Sequence, residues 1–264
     1  MRFYYYLDKI TNIILFLVNL LSQAFFVFSP SIKGMVKRNK ELVAKGDRVF
    51  VICNGPSLLK TDIMKLTEED TITVNNFYKQ KEYLGFESKY HLAIDDAFAS
   101  GSHHDFIIKT IKEHPSVVYI VSHKVYKTLP ASPNIHGLYA KRVQYGKYVC
   151  CDFCSNMTAA INVSVMAIQV AISMGYRKIY LLGVDYNDFI TAVMDKTTRH
   201  FYEEENAKGY DSVLNGTTLR WQYIAFAQHY ALAKYAEKKG IIIENLSPGT
   251  CLDAYKRNGF EDVV

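Results

Sequence analysis

Polar side chains that could do chemistry follow several short runs of apolar or β-branched residues. They are Asn54, Asn75 and Asn76, Asp95 and Asp96, Asp185, and Asn245. Any one of them could be a turn residue or a helix cap, which is a common role for Asn and Asp. The carboxyl ends of parallel strands meet at one edge of an open α/β sheet, and ligands bind at that edge. Taken together, these residues predict a binding site there.

The first of these positions opens the turn Asn54-Gly55-Pro56-Ser57. Glycine lets the backbone approach a ligand closely, proline stiffens the turn, and Ser57 could cap the next helix or donate to a phosphate. The motif is neither a P-loop nor a GxGxxG fingerprint, so it does not indicate ATP or NAD. It predicts a nucleotide-binding turn, and an ordinary β-turn is the alternative.

A second candidate group is Asn162-Val163-Ser164, at the start of a long apolar helix, together with Asp185 at a later strand tip. The N-terminus of a helix attracts anions because its N–H groups point outward. Asp185 could hold a ribose, a metal or a lid. These residues extend the predicted site to a second strand and its neighbouring helix.

His200 lies in an Arg-His-Phe-Tyr motif within a polar, irregular stretch at 187–218. Such a long segment in a compact domain is usually a lid or a binding loop. A histidine there could take a proton from an attacking hydroxyl near neutral pH, although a surface histidine is the alternative. His103, His104 and His229 have no comparable setting, and we expect no role for them.

The elements that must position these residues follow from hydrophobic periodicity. Continuous apolar or β-branched runs predict buried strands at 47–54, 71–74, 90–94, 116–121, 178–182 and 241–244. Helices are predicted at 158–174 and 219–239, each followed by a glycine stop. This alternation predicts an α/β fold with a mainly parallel sheet and helices on both faces.

The N-terminal region differs from the remainder of the chain. We expect residues 1–46 to form a membrane-anchoring helix with a basic linker, and residues 47–264 to form the α/β domain that binds the nucleotide. The apolar stretch at 10–28 could span a bilayer or lie on its surface with Asn12, Asn19 and Gln23 on one face. A soluble core helix is the alternative. The basic residues that follow favour the cytoplasmic side; they are Lys33, Lys37, Arg38 and Lys40.

Composition excludes some classes of function. The formal charge is only +5 and no basic stripe interleaves with aromatic residues, so nucleic-acid binding is not expected. The five cysteines are odd in number and clustered, which suits a reducing compartment. Cys151 and Cys154 form a CxxC, but no second pair follows to complete a zinc site. No metal site is expected.

These motifs resemble those of the bacterial sialyltransferases of glycosyltransferase family 42. The likeness includes the strand with its Asn-Gly-Pro-Ser-Leu element, the Asn75-Asn76 pair, the Gly-Tyr-x-x-Ile-Tyr-Leu-x-Gly-Val-Asp strand and a downstream histidine. The chain is also similar to a related domain of unknown function that includes archaeal 6-hydroxymethylpterin diphosphokinase-like proteins. The likeness covers about residues 48–254 and implies a Rossmann-like fold with a lid over a CMP-sugar.

The resemblance also implies residue roles. Asn54 and Ser57 would contact the nucleotide phosphate or ribose, Asn76 the cytidine or sugar, and Ser164 the nucleotide from the helix start. His200 would be the general base. Tyr186 and Tyr202 are plausible substitutes for the paired lid tyrosines of that family. The remaining expected nucleotide-site residues are Gly55, Asn75, Asn162 and Asp185. Asn162-Val163-Ser164 replaces the family's Thr-Ser-Gly turn, so the donor need not be CMP-sialic acid itself.

The resulting prediction is a metal-independent glycosyltransferase at the cytoplasmic face of the inner membrane. It would transfer a sialic-acid-type sugar from a CMP-activated donor, without a cofactor, to a glycan acceptor of surface polysaccharide or lipooligosaccharide. One alternative is pyrophosphoryl transfer from ATP to a pterin, with Mg²⁺ held by Asp95, Asp96 and Asp185. Another is a non-catalytic membrane assembly factor without nucleotide affinity.

Overall fold

The computed structural model describes residues 2–80, 85–144, 146–187 and 216–264. Within these ranges, nine parallel strands form one sheet in the order β6-β5-β4-β3-β2-β1-β7-β8-β9. The strands are β1 Arg48–Ile52, β2 Thr71–Val74, β3 Tyr90–Ala93, β4 Val118–Ser122, β5 Ile135–Arg142, β6 Asn156–Thr158, β7 Lys178–Leu182, β8 Ile242–Asn245 and β9 Lys256–Arg257. The α-helices are α1 Arg2–Val27, α2 Pro30–Lys37, α3 Gly101–Glu113, α4 His123–Tyr126, α5 Val163–Met174 and α6 Gly216–Lys239.

The expected α/β class with a mainly parallel sheet is confirmed. The chain builds the sheet outward from β1 through β6, then returns to the other side of β1 with β7 and continues to β8 and β9. The order therefore reverses between β1 and β7. Ligands bind at such a switch point in open parallel sheets, just beyond the carboxyl ends of the strands.

The central strands are buried on both faces, as their continuous apolar sequences indicate. Val49 and Val51 belong to the large core beneath α5, whereas Phe50 and Ile52 belong to a second core on the opposite face. All four side chains are fully buried. Successive side chains of a strand alternate between faces, so an uninterrupted apolar run is what two covered faces require.

Short segments depart from the expected elements in detail. The turn Asn54-Gly55-Pro56-Ser57 leads into the 3₁₀ turn Pro56–Lys60, and a second 3₁₀ turn spans Ile63–Leu66. The helix expected from residue 158 begins at Val163, because Asn162 caps it and residues 156–158 form β6. It ends at Met174 and is capped by Gly175, whose φ of 102° suits glycine.

Residues 30–42 belong to the folded body, contrary to the basic linker expected there. They form α2 and a 3₁₀ turn, Arg38–Glu41, packed against β5. The buried Asn39 side chain donates to the carbonyls of Gly137 at 3.0 Å and Phe153 at 2.8 Å. Leu42 joins the large core. Removing this stretch would therefore leave buried carbonyls without their donors.

One helix among the described residues is long and apolar enough to cross a membrane, spanning Lys9–Val27. This finding concerns length and composition only. The helix also touches β5 and β6.

Candidate functional site

Most of the strand-end residues meet around one cavity of 770 Å³. Its volume is within the range of small-molecule sites, about 300 to 1,000 Å³. The lining includes eight of the residues expected from the sequence: Asn54, Gly55, Asn75, Asn76, Asn162, Ser164, Asp185 and Tyr186. Ser57 and Asn245 are not part of the lining. The cavity therefore lies at the β1–β7 switch point, with α5 on one side.

Ser57 and Asp185 bind each other beneath the cavity. The carboxylate of Asp185 accepts from the backbone N–H of Ser57 at 2.7 Å and also from its hydroxyl. Both residues are buried. The polar groups of Ser57 thus hold the turn after β1 against the turn after β7. In this arrangement Ser57 shapes the site and does not face its interior.

Close contacts within the protein require a glycine at this turn. A Cβ atom at Gly55 would lie 2.5 Å from the carbonyl oxygen of Gly183 and 2.7 Å from the carboxyl carbon of Asp185. Gly183 also has a positive φ of 63° and approaches the carbonyl of Cys53 closely. The two turns can touch only because neither residue has a side chain.

Asn54 and Asn75 present side-chain amides on the β1–β2 side of the cavity. The amide nitrogen of Asn54 donates to the carbonyl of Val74 at 3.2 Å. Among the described residues, no donor reaches the buried side-chain oxygen of either asparagine. Asn75 also has a positive φ of 48°, which asparagine tolerates better than most residues. Buried acceptors are normally satisfied, so a bound molecule or water that donates hydrogen bonds suits this wall.

The N-terminus of α5 forms the opposite wall. The side-chain oxygen of Asn162 accepts from the Ser164 N–H at 2.9 Å and from its hydroxyl at 2.8 Å. This cap fixes the first turn of a twelve-residue helix whose preceding residues line the cavity. The positive end of the helix dipole suits a phosphate at this wall.

His229 is a site residue that sequence reasoning missed. Its Nε2 lies 2.9 Å from the Tyr186 hydroxyl and 3.2 Å from the Ser164 hydroxyl, and its Nδ1 lies 2.9 Å from the Tyr255 hydroxyl. Burial lowers the pKa of His229 to about 3, so the ring is neutral at physiological pH. It contacts Tyr186 and Ser164, which line the cavity, and does not line the cavity itself. His229 lies inside a long helix without a motif, so only tertiary contacts identify it.

Tyr186 occupies an unusual backbone conformation at the end of β7, with a positive φ of 52°. A bulky residue rarely adopts this conformation, and such residues often lie at functional sites. Its ring packs edge-on against Phe226 and His229, each with a centroid distance of 5.1 Å. The side chain is thus fixed by α6 while its residue lines the cavity.

Basic groups lie on the β4–β5 side of the cavity. His123, at the start of α4, and Lys141, at the end of β5, both line it. Burial, followed by the nearby charges of Lys141 and Lys127, lowers the pKa of His123. Neutral His123 can accept or donate a hydrogen bond, whereas Lys141 supplies a positive charge suited to an anionic ligand.

The carboxylates proposed for the Mg²⁺ alternative each have a protein partner. Asp95 accepts from the Ala97 N–H at 3.0 Å, Asp96 pairs with Lys124 at 2.5 Å, and Asp185 binds Ser57. Across the described ranges, no three His, Cys, Asp or Glu side chains are grouped to hold a metal. Burial raises the pKa of Cys151 and Cys154, which keeps both thiols protonated.

His200 and Tyr202 lie outside the described residues. Their expected roles as general base and lid tyrosine stay predictions, as does the lid itself.

The family model for 6-hydroxymethylpterin diphosphokinase MptE-like proteins matches residues 19–189, about two thirds of the chain. The chain belongs to this MptE-like family. The match begins inside α1 and ends just after Tyr186, so it includes both turns at the switch point. No curated protein matches the chain by sequence.

Solved structures of sialyltransferases share the fold of this MptE-like protein. A variant of Cst-II in complex with CMP is similar with a TM-score of 0.50 and 18% identity, covering 80% of this chain and 86% of that one. CstII from Campylobacter jejuni with CMP-3FNeuAc gives 0.49 and 18%, covering 80% and 85%. The MAf glycosyltransferase from Magnetospirillum magneticum AMB-1 gives 0.49 and 13%, covering 88% of this chain and 38% of that one. The resemblance drawn from the sequence is confirmed by the family model for the MptE-like proteins and, at the level of the fold, by the solved structures for the sialyltransferases.

Proposed function

We propose that this MptE-like protein is a glycosyltransferase that uses a CMP-activated sugar of the sialic-acid type. The observation that carries the proposal is the cavity at the switch point, with side-chain amides on one wall and the α5 N-terminus on the other. The amides of Asn54 and Asn75 suit the exocyclic amine and the hydroxyls of a cytidine. The helix end suits its phosphate. The fold similarity to a sialyltransferase in complex with CMP adds support.

In the proposed reaction, the sugar–phosphate bond breaks while an acceptor hydroxyl attacks the sugar. The α5 N-terminus and the Tyr186 hydroxyl stabilise charge on the departing CMP. Ser164 and His229 hold that hydroxyl in place. His200 takes the acceptor's proton, and Tyr202 acts with Tyr186 on the leaving phosphate. CMP is a good leaving group, so no metal and no cofactor is needed.

The proposed setting is the cytoplasmic face of the inner membrane, where a glycan of surface polysaccharide or lipooligosaccharide would be the acceptor. The apolar helix over Lys9–Val27 and the basic residues after it support this location. The proposed partners are therefore a nucleotide-sugar donor, a glycan acceptor and the membrane surface.

A second candidate is pyrophosphoryl transfer from ATP to a pterin, which the description of the MptE-like family favours. This chemistry needs Mg²⁺ bound by carboxylates and phosphates. Ser57 engages Asp185, and Lys124 engages Asp96. These contacts leave the glycosyltransferase as the better-supported proposal.

Turnover of a CMP-sialic acid donor by the wild type and by His200→Ala tests the proposed reaction. We expect the variant to lower kcat by about 10² to 10⁴-fold, the usual contribution of a general base. Its affinity for CMP should be unchanged, because His200 acts on the acceptor hydroxyl. A fully active His200→Ala variant would rule out this base, and turnover of ATP and a pterin instead would favour the second candidate.

A further inference from the structure

Helix α1 has one strongly apolar, exposed face. Five large apolar residues of α1, and a sixth just after its end, recur every three or four positions and form an apolar stripe: Ile10, Ile14, Leu17, Leu21, Phe25 and Phe28. Each is more than half exposed, and Phe28 is 83% exposed. Positions three and four apart share one side of a helix. The stripe therefore points away from the protein.

The opposite face of α1 binds the body through polar side chains and through Phe26, whose ring stacks on Tyr139. Asn19 forms a paired contact with Val143, donating to its carbonyl at 2.8 Å and accepting from its N–H at 2.7 Å. The Ser22 hydroxyl donates to the carbonyl of Lys141 at 3.2 Å, and Arg142 donates to the side chain of Gln23 at 2.6 Å. We call these contacts the docking contacts. A helix on a water-exposed surface has the reverse arrangement, with its apolar side inward.

The docking contacts oppose a membrane-spanning orientation. Asn19 is close to the midpoint of Lys9–Val27, so a spanning α1 would place it near the bilayer centre. Its partner Val143, just after β5, would follow, together with the charged Lys141 and Arg142 of β5. Charged side chains and open strand edges are strongly disfavoured in the hydrocarbon core. While the contacts persist, α1 cannot span a bilayer.

The chain after α1 carries charge that suits anionic lipid headgroups. Residues 29–46 contain five basic residues and one acidic residue. Four of the basic side chains are exposed: Lys33, Lys37, Lys40 and Lys45. Basic segments next to a membrane-bound helix are attracted to anionic lipids. A lipid surface therefore accounts for both the apolar stripe and this charge. A second copy of the chain would carry the same positive charge and would be repelled.

The strand that binds α1 is also a wall of the cavity. Leu138, Ala140 and Lys141 of β5 line it, and the carbonyl of Lys141 accepts the hydrogen bond from Ser22. The orientation of α1 thus fixes where the cavity lies relative to the membrane.

We propose that α1 lies in the plane of an anionic membrane surface with its apolar stripe in the acyl region. Its polar face holds the β5 wall of the cavity at that surface, in position to receive an acceptor carried by a membrane lipid. The part concerning the acceptor rests on the proposed glycosyltransferase function. The in-plane orientation of α1 does not depend on that function.

Flotation of the full-length protein with vesicles tests whether the apolar stripe contacts a lipid surface. The wild type should float with phosphatidylcholine vesicles that contain phosphatidylglycerol, and more weakly with phosphatidylcholine alone. Leu21→Asp should reduce flotation at least tenfold, whereas Val264→Asp, the same added charge at an exposed apolar site away from α1, should not. Equal flotation of both variants would overturn the proposal. So would a wild type that fails to float and forms a dimer that Leu21→Asp dissociates.

An N-terminal epitope tag tests the orientation. Protein added to preformed vesicles should keep the tag accessible to protease on the outside, since α1 does not cross. A protected tag would show that α1 spans the bilayer and would overturn the in-plane geometry.

The single tryptophan, Trp221, tests the position of the cavity, because it lines the cavity and is 51% exposed. Energy transfer from Trp221 to a dansyl-labelled lipid should be strong in the wild type. Asn19→Leu breaks the paired contact with Val143, and Gln23→Leu removes the contact with Arg142. Both variants should still float with vesicles but should show less energy transfer from Trp221. Thr11→Leu, an exposed site on α1, is the matched control. Unchanged transfer in both docking variants would overturn the role of the docking contacts. None of these assays uses a nucleotide, so their failure and a failure of CMP binding are distinguishable.

Discussion

The hydroxyl of Tyr186 lies 2.9 Å from Nε2 of His229, which joins the end of β7 to the interior of α6. His229 is completely buried and neutral, and its other nitrogen faces the Tyr255 hydroxyl. The histidine is thus fixed from both sides and cannot turn away from Tyr186. We infer that it positions Tyr186 and does not itself exchange protons with a substrate.

The first prediction concerns His229→Gln. The variant removes part of the hydrogen-bonding geometry at Tyr186, so kcat for donor turnover should fall by about tenfold with little change in CMP affinity. His91→Gln is the matched control, because His91 is equally buried and has a pKa lowered to about 3, but its Nδ1 contacts the Thr73 hydroxyl and not Tyr186. Both variants should lose stability. An equal loss of kcat in both would show that general destabilisation, not positioning, is responsible.

The second prediction concerns pH and stability. Burial lowers the pKa of His229 to about 3, whereas an unfolded histidine has a pKa near 6.5. Between these values the unfolded state binds more protons, so acidification below about pH 6.5 lowers the free energy of unfolding. The contribution of one histidine is at most about 1.4 kcal/mol per pH unit. Denaturant unfolding of the wild type and His229→Gln across this range should show a shallower pH dependence in the variant. Parallel curves would contradict the buried, neutral histidine.

The third prediction concerns the contact between the β1 and β7 turns. Gly55→Ala should lower the free energy of unfolding by about 1 to 3 kcal/mol, because the new methyl group meets the Gly183 carbonyl and the Asp185 carboxylate. Gly34→Ala is the control, since nothing lies within 4 Å of a Cβ there and the site is helical. It should be neutral or stabilise by up to about 1 kcal/mol. Equal stability of the two variants in denaturant would show that the turns can separate at little cost.

The fourth prediction concerns truncation. Deletion of residues 1–28 should leave a body that unfolds cooperatively, because α2 and Asn39 remain. Deletion of residues 1–46 should abolish cooperative unfolding, since it removes Asn39, Val36 and Leu42 from buried positions. Circular dichroism during heating distinguishes the two. A cooperative transition in the longer deletion would show that this stretch contributes little to stability.

The sequence predicted the parts of the fold that periodicity encodes. The runs at 49–52 and 179–182 are buried on both faces, so their pattern is unambiguous. The β5 strand at Ile135–Arg142 was not predicted, because it mixes histidine, glycine and charged residues and its end becomes exposed. The packing of residues 30–42 was also missed, since their basic side chains are exposed while Asn39 is buried for its hydrogen bonds.

The candidate site was partly predictable for a similar reason. Residues such as Asn54 and Asp185 stand directly after strands, so topology alone brings them to one edge. The Ser57–Asp185 contact and the role of His229 depend on side chains far apart in the sequence. No local spacing encodes such contacts.

The most direct test of the central claim is calorimetric titration of the full-length protein with CMP in the presence of a metal chelator. We expect CMP to bind without metal, and Asn54→Ala to weaken binding by about tenfold or more, since the loss of a hydrogen bond in a buried site costs about 1 to 3 kcal/mol. ATP with Mg²⁺ should bind more weakly than CMP. Binding of ATP only with Mg²⁺, and no heat with CMP, would contradict the account.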